Sequence, residues 1–265
     1  MITRTEILIF DIDGVITDPS TKKIGSINII RHLESRLEKN IPVCFNTGRS
    51  SVWVRENIIS SFSPETPLEL LYCVCEMGEV VLEYDKDNHA KETVSSQNLI
   101  PLALKSTIRE IVMSSYYETM FVDETKKVIL TVEMKDGLSK SVYEKNQSRL
   151  SGEIRIILKN YHPNIHIRPS SSSIAIDIKP INSNKASGAA KILTWLRSKK
   201  VDKNISIVAL GDSASDLQMA EYFHSMNIPT KFIYVGNDNI DISTNYKVIK
   251  TIAKYTEGTL EFLNS

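Results

Sequence analysis

The sequence predicts an α/β fold in which a doubly wound, mostly parallel core sheet is interrupted by an inserted α+β segment. Three observations carry this expectation. Apolar runs of strand length at 7–10, 41–45 and 205–210 each end in a polar turn that leads towards a helix-patterned stretch, the grammar of a parallel sheet. Between about 96 and 179 the apolar residues instead alternate with polar ones, as in an antiparallel sheet covered on one side. From Lys185 onward the helix and strand–turn–helix order resumes. The expected organisation is a core built from 1–95 and 180–265, with a separate α+β domain at 96–179.

Taken in order, Ile7-Leu-Ile-Phe10 is an unbroken apolar run suited to a strand buried on both faces. Asp11 and Asp13 follow, and Gly14 lets the backbone turn. Residues two apart in an extended chain project to one side. The two carboxylates therefore suit one pocket at the carboxyl end of a strand. On this stretch alone they suit a strand with an Asx-type turn equally well. In 24–40 the residues Ile30, Leu33 and Leu37 recur at three- and four-residue spacing, predicting a helix that stops at Asn40. The strand at 41–45 carries Pro42 near its beginning, where proline is tolerated. It runs into Asn46-Thr-Gly-Arg-Ser50 and a helix from about 51 to 60. A third strand at 70–75 ends at Glu76-Met-Gly78, and strands at 80–84 and 90–94 flank a hairpin turn.

The inserted segment reads as a helix at 98–117, a strand at 127–133, a polar helix at 138–150 and strands at 153–158, 164–168 and 173–178. Arg168-Pro-Ser-Ser-Ser-Ser173 forms the turn between the last two. The core pattern returns with a helix at 185–199 and a buried strand at 205–210 that ends in Gly211-Asp-Ser-Ala-Ser-Asp216, followed by a helix from Leu217. A strand at 231–235 stops at Gly236-Asn237, and a short helix closes the chain at 253–263.

At 265 residues, with 42% hydrophobic and 24% charged residues, the chain has the composition of a soluble globular protein. The 32 basic residues balance 32 acidic ones, so no basic surplus marks a nucleic-acid or membrane partner. The apolar runs are far too short for a membrane span. The start of the chain enters a strand without a signal-peptide pattern. A cytoplasmic monomer or homodimer acting on a small molecule is the expectation. Cys44, Cys73 and Cys75 are odd in number and lie in apolar runs, which predicts buried small hydrophobes rather than disulfides.

A doubly wound sheet would gather Asp11, Asp13, Thr47, Lys185, Asp212 and Asp216 in one crevice. That inventory suits phosphoryl transfer: a carboxylate nucleophile, a second carboxyl group, a hydroxyl, a cation, and further carboxylates for a metal. An anion attacking a phosphate dianion needs the repulsion cancelled, which Mg²⁺ and a lysine supply. Taken singly, each residue also has an ordinary reading as a cap, turn or solvated charge. Four groups in order, Asp11 with Asp13, Thr47, Lys185, and Asp212 with Asp216, weigh against coincidence.

Asp11-Ile-Asp-Gly-Val-Ile-Thr17, Thr47-Gly-Arg49, Lys185 and Gly211-Asp-Ser-Ala-Ser-Asp216 resemble the four ordered motifs of the haloacid dehalogenase superfamily. The insertion between the second and third is similar to that of its subclass II with a large α/β (C2B-type) cap. That subclass includes the Cof-type and the sucrose-, trehalose- and mannosylglycerate-phosphate phosphatases. Glu76-Met-Gly78 and Val235-Gly-Asn237 stand where such relatives often carry similar signatures. The resemblance implies a Rossmann-like core and a Mg²⁺-dependent phosphatase for a small phosphorylated metabolite, such as a sugar phosphate. By the same resemblance Asp11 is the nucleophile and Asp13 the general acid and base. Thr47, Gly48, Arg49 and Lys185 hold the phosphoryl group. Asp11, the Asp13 carbonyl, Asp212 and Asp216 bind the metal. The inserted domain would then set specificity, with Arg168, Ser170 and Ser172 as candidates for contacting the leaving group.

One departure from the pattern is Ser215, where relatives usually carry asparagine. Two alternatives remain beside the phosphatase: a phosphotransferase similar to the phosphomannomutases, and a non-catalytic phosphosugar-binding protein.

Overall fold

The computed structural model describes residues 4–95, 99–161, 166–172, 174–239 and 243–265. The chain divides into two compact units, Met1–Thr93 with Asn184–Ser265, and Val94–Ser183. Among the described residues, no helix is long and apolar enough to cross a membrane.

The first unit is built on eight strands. They are β1 (Thr5–Phe10), β2 (Val43–Asn46), β3 (Leu71–Cys75), β4 (Val80–Tyr84) and β5 (Ala90–Val94), then β10 (Ile205–Gly211), β11 (Thr230–Tyr234) and β12 (Lys247–Lys250). Their order in the sheet is β12-β11-β10-β1-β2-β3-β4-β5. The six from β12 to β3 run parallel, and β4 turns back antiparallel on β3. β1 sits at the centre because Ile7, Leu8, Ile9 and Phe10 are all buried, as a strand covered on both faces requires.

Helices cover both sides of this sheet. Helix α1 (Ile27–Glu38) buries Ile29, Ile30, Leu33 and Leu37 along one stripe, and its first turn is capped by the Ser26 hydroxyl, which accepts from the N–H of Asn28. Burying each such side chain is worth roughly 1.5–3 kcal/mol. On one face Ile7, Ile9 and Cys44 pack with Ala189, Ile192 and Leu196 of α5 (Lys185–Ser198). The remaining helices of this unit are α2 (Ser51–Asn57), α6 (Leu217–Ser225) and α7 (Tyr255–Leu263). β12 has no counterpart in the sequence reading, because Lys247 and Lys250 break its short apolar run at an edge position.

The second unit has four antiparallel strands, β6 (Met120–Asp123), β7 (Leu130–Met134), β8 (Ile167–Ser171) and β9 (Ala175–Pro180), in the order β6-β7-β9-β8. Leu130, Val132, Ile176 and Ile178 pack with Leu104, Ile108, Leu150 and Ile154 from α3 (Leu102–Ile111) and α4 (Lys140–Tyr161).

Three expectations are corrected in this unit. The strand expected at 153–158 is part of the single helix α4, which also absorbs the helix expected at 138–150. Its β-branched residues suggested alternation, but Tyr143, Leu150, Ile154 and Leu158 are buried at helical spacing while Ile156 is exposed. β6 was not foreseen, since only three residues separate it from the preceding helical turns. The turn expected at 168–173 is largely strand: Arg168, Pro169, Ser170 and Ser171 pair with Lys179 to Ile176 on the sheet edge, where proline costs no ladder bond. Ser173 lies outside the described residues.

Candidate active site

The carboxyl ends of β1, β2 and β10 and the first turn of α5 bring the sequence-predicted core residues together. Asp11 leaves β1 with its N–H on the carbonyl of Leu210 at 3.0 Å. The chain then folds sharply, with the N–H groups of Val15, Ile16 and Thr17 all donating to the carbonyl of Ile12 at 3.2, 2.9 and 3.0 Å. Gly14 is required here. Its φ is +72°, and a Cβ would stand 2.2 Å from Asp212 Oδ2. The Asp212 carboxylate, from the end of β10, thus packs directly on the β1 turn.

Lys185 is the first residue of α5 and is 3% exposed. Asn184 caps the helix by accepting from the Ser187 N–H at 2.9 Å, and the Ser187 hydroxyl accepts from the Asn184 N–H at 3.2 Å. The Lys185 ammonium is 2.7 Å from Asp11 Oδ1 and 2.8 Å from Asp216 Oδ1, and it donates to the carbonyl of Asn46 at 2.7 Å. An ammonium has three N–H donors, and all three are engaged.

Asp11, Asp212 and Asp216 place a carboxylate oxygen each within 4.8 Å of one another. Burial raises Asp11 well above the usual carboxylate range; Lys185 opposes this, while Asp216, Asp212 and Asp13 add to it. Burial and then Asp216 push Asp212 up to about 7. Burial alone would lower Lys185, but Asp11 and Asp216 outweigh it and hold the ammonium above its ordinary range. With three carboxyl groups against one ammonium in a desolvated crevice, burial and mutual repulsion disfavour the fully ionised set, and a divalent cation is what would let all three ionise together. All the donors are hard oxygens, the set Mg²⁺ prefers.

Asp216 is fixed from two sides. Its Oδ2 accepts from the Ser213 N–H at 3.1 Å and from the Ser213 hydroxyl at 2.7 Å, while Oδ1 faces Lys185. Ser215 is exposed and its hydroxyl lies 2.9 Å from that of Ser213. Ser213, which the sequence reading passed over, is therefore the residue that orients Asp216.

At the end of β2, Thr47 is buried, its N–H donates to Val74 at 2.9 Å, and its hydroxyl oxygen accepts from the Arg49 N–H at 3.1 Å. Gly48 keeps the loop slim, since a Cβ would come within 3.0 Å of Met77 Cε. Arg49 grips Asp13, with Nε 3.2 and 3.0 Å from the two carboxylate oxygens and Nη2 2.7 Å from Oδ1. Its guanidinium lies 4.5 Å from the Trp53 ring centroid. Glu76 and Met77 adopt left-handed backbone, φ 49° and 53°, to brace this loop. The Glu76 N–H donates to Arg49 and the Met77 N–H to Thr47, each at 3.0 Å. Left-handed backbone at residues other than glycine costs about 1–2 kcal/mol each, so the surroundings hold this conformation against strain.

Neither a protein-family model nor a curated protein matches the sequence. Solved structures do match. The C-terminal domain of the C. albicans trehalose-6-phosphate phosphatase superposes with a TM-score of 0.71 at 14% identity, covering 99% of this chain and 92% of that one. A haloacid dehalogenase-like hydrolase from Bacteroides thetaiotaomicron gives 0.65 at 13% identity, covering 98% and 99%. The fold is that of the haloacid dehalogenase-like hydrolases. The Aspergillus fumigatus trehalose-6-phosphate phosphatase also matches, with a TM-score of 0.57 at 16% identity over 98% of this chain and 93% of that one.

Within this haloacid dehalogenase-like fold, Asp11, Lys185, Asp212 and Asp216 form one cluster, and Asp13 with Arg49 and Thr47 lines the adjoining β1 and β2 ends. Arg168, Ser170 and Ser172 belong to the second unit. There the Ser172 hydroxyl closes the β8–β9 hairpin by accepting from the Ala175 N–H at 3.0 Å.

Proposed function

We propose that this protein is a phosphoric monoester hydrolase acting on a small phosphorylated metabolite through Asp11. The observation that carries this reading is the Lys185–Asp11 contact beside Asp212 and Asp216: a nucleophilic carboxylate held by an ammonium where two further carboxylates call for a divalent cation. The likeness to trehalose-6-phosphate phosphatases supports a sugar phosphate as the substrate class.

A carboxylate oxygen of Asp11 attacks phosphorus, the bond from phosphorus to the ester oxygen breaks, and the leaving alkoxide takes a proton from Asp13. Asp13 then accepts a proton from water, whose oxygen attacks the aspartyl-phosphate and releases Asp11 and inorganic phosphate. Thr47 accepts from Arg49 with its oxygen, which leaves its hydroxyl hydrogen to donate to a phosphoryl oxygen. Arg49 offers a fork that a phosphate dianion recognises. As found, that fork is spent on Asp13, so an arriving phosphate competes for it and frees Asp13 to protonate the leaving group. Asp11 and Asp212, with the Asp13 carbonyl, would hold Mg²⁺, and Asp216 stands behind them. When bound, the ion neutralises charge on the transferring group.

The test is release of phosphate from p-nitrophenyl phosphate and from a panel of sugar phosphates. The reading expects turnover with Mg²⁺, loss in EDTA, and loss in Asp11→Asn. Turnover undiminished in Asp11→Asn would refute it.

A further inference from the structure

Asn46, the last residue of β2, and Lys185 are joined by two reciprocal hydrogen bonds. Lys185 Nζ donates to the main-chain carbonyl of Asn46 at 2.7 Å, and Asn46 Nδ2 donates back to the main-chain carbonyl of Lys185 at 2.8 Å. Both residues are buried. Gly188, nearly one turn further along α5, makes the room, since a Cβ there would stand 2.1 Å from Asn46 Oδ1. Ser187 ties α5 to a different neighbour, the turn after β3, with its hydroxyl 3.1 Å from the carbonyl of Met77.

Two features separate this clasp from ordinary packing. Asn46 Oδ1 is buried and has no hydrogen-bond partner among the described residues. A buried carbonyl oxygen left in that state costs stability. Folding alone would be better served by an apolar side chain, as at Val43, Cys44 and Phe45 just before it. The second feature is the direction of the ammonium. Two of its three N–H groups face Asp11 and Asp216, and the third is committed to Asn46, so the end of β2 sets where Lys185 points.

We propose that Asn46 is a positioning residue for phosphoryl transfer. Its amide locks the end of β2 to the first turn of α5, so that Lys185 holds the attacking carboxylate of Asp11 in line. The inference rests on the phosphatase reading for its chemical consequence, and Asn46 acts only through Lys185. An error of about 1 Å in such a constellation costs on the order of 100-fold in rate. An interaction felt only in the chemical step lowers kcat and leaves KM in place.

The experiment compares wild type, Asn46→Ala and Gly188→Ala, the last of which presses on the amide from the helix side. Steady-state kinetics with p-nitrophenyl phosphate and Mg²⁺ should show kcat falling by about 10- to 100-fold in both variants, with KM within about twofold of wild type. In protein labelled with [¹⁵N]lysine, the Lys185 ammonium, assigned by its disappearance in Lys185→Met, should give a slowly exchanging resonance in wild type and lose it in Asn46→Ala. A kcat within twofold of wild type in both variants, or an ammonium resonance unchanged in Asn46→Ala, overturns the proposal. If Asn46→Ala does not fold, Asn46→Ser, whose hydroxyl is too short to reach the carbonyl of Lys185, is judged by the same two readouts. Absence of turnover in wild type would sink the phosphatase reading alone; the ammonium resonance would still decide the clasp.

Discussion

Arg49 holds Asp13 by both carboxylate oxygens, at 3.2, 3.0 and 2.7 Å, while its guanidinium lies against the ring of Trp53. The arginine is thus placed by two partners before any ligand arrives. Asp13 is the more exposed member, its side chain 43% accessible against 13% for Arg49. On the proposed mechanism the phosphate must draw Arg49 away from Asp13. Arg49→Ala should therefore raise KM about tenfold and lower kcat by a similar factor, because both the phosphate fork and the placement of Asp13 are lost. Arg49→Lys should recover only part, since an ammonium cannot grip both oxygens as a planar fork does. Steady-state kinetics on the two variants checks this.

Gly14 and Asp212 give a second prediction. Gly14→Ala forces a Cβ to 2.2 Å from Asp212 Oδ2 at a residue whose φ is +72°. The variant should lose about 1–3 kcal/mol of stability and bind Mg²⁺ at least tenfold more weakly, because Asp212 must move. Titration calorimetry with Mg²⁺ and thermal denaturation measure the two effects separately.

Protonation of Asp212 makes stability depend on pH in the metal-free protein. Its folded-state value of about 7 lies above the ordinary 3.8 because of burial and then Asp216. The folded protein therefore holds this proton more tightly than the unfolded chain. The resulting stabilisation is complete below about pH 4 and is lost as pH rises through about 7. Asp212→Asn carries no such charge. In EDTA, the Tm of Asp212→Asn minus that of wild type should grow between pH 5 and pH 8 and flatten above. A gap that shrinks over this range would contradict the assignment. Saturating Mg²⁺ should raise wild type at pH 8 and leave the variant nearly unchanged.

The fold was largely legible where burial is simple. Ile7 to Phe10 and Ile205 to Leu210 are buried on both faces, and an unbroken apolar run carries that information directly. The grouping of Asp11, Lys185, Asp212 and Asp216 was legible because each follows a predictable strand or opens a predictable helix. What joins them was not. No pattern in the sequence says that the third N–H of Lys185 goes to the carbonyl of Asn46, a bond that depends on distances across the sheet. Ser213 and Asp216 are different: they stand three residues apart and form a capping box, so Ser213-Ala-Ser-Asp216 already carries the signal that ties them.

Helix α4 shows a different failure, in which local β-propensity was overridden by packing. Ile154 is buried against the second unit's sheet, while Ile156, two residues on, is 60% exposed. A strand would bury the two alike. Ile156→Lys should be tolerated within about 0.5 kcal/mol, whereas Ile154→Ala should cost about 2–5 kcal/mol. Urea denaturation of both variants gives the comparison.

Covalent capture at Asp11 tests the central claim most directly. Wild-type protein turning over a phosphomonoester with Mg²⁺ is quenched with borohydride, which reduces an aspartyl-phosphate to homoserine, and the peptide containing Phe10 to Asp13 is read by mass spectrometry. The account predicts homoserine at position 11, dependent on substrate and absent in Asp11→Asn. Phosphate release with an unmodified Asp11, or with the label at Asp13 or Asp212, would contradict it.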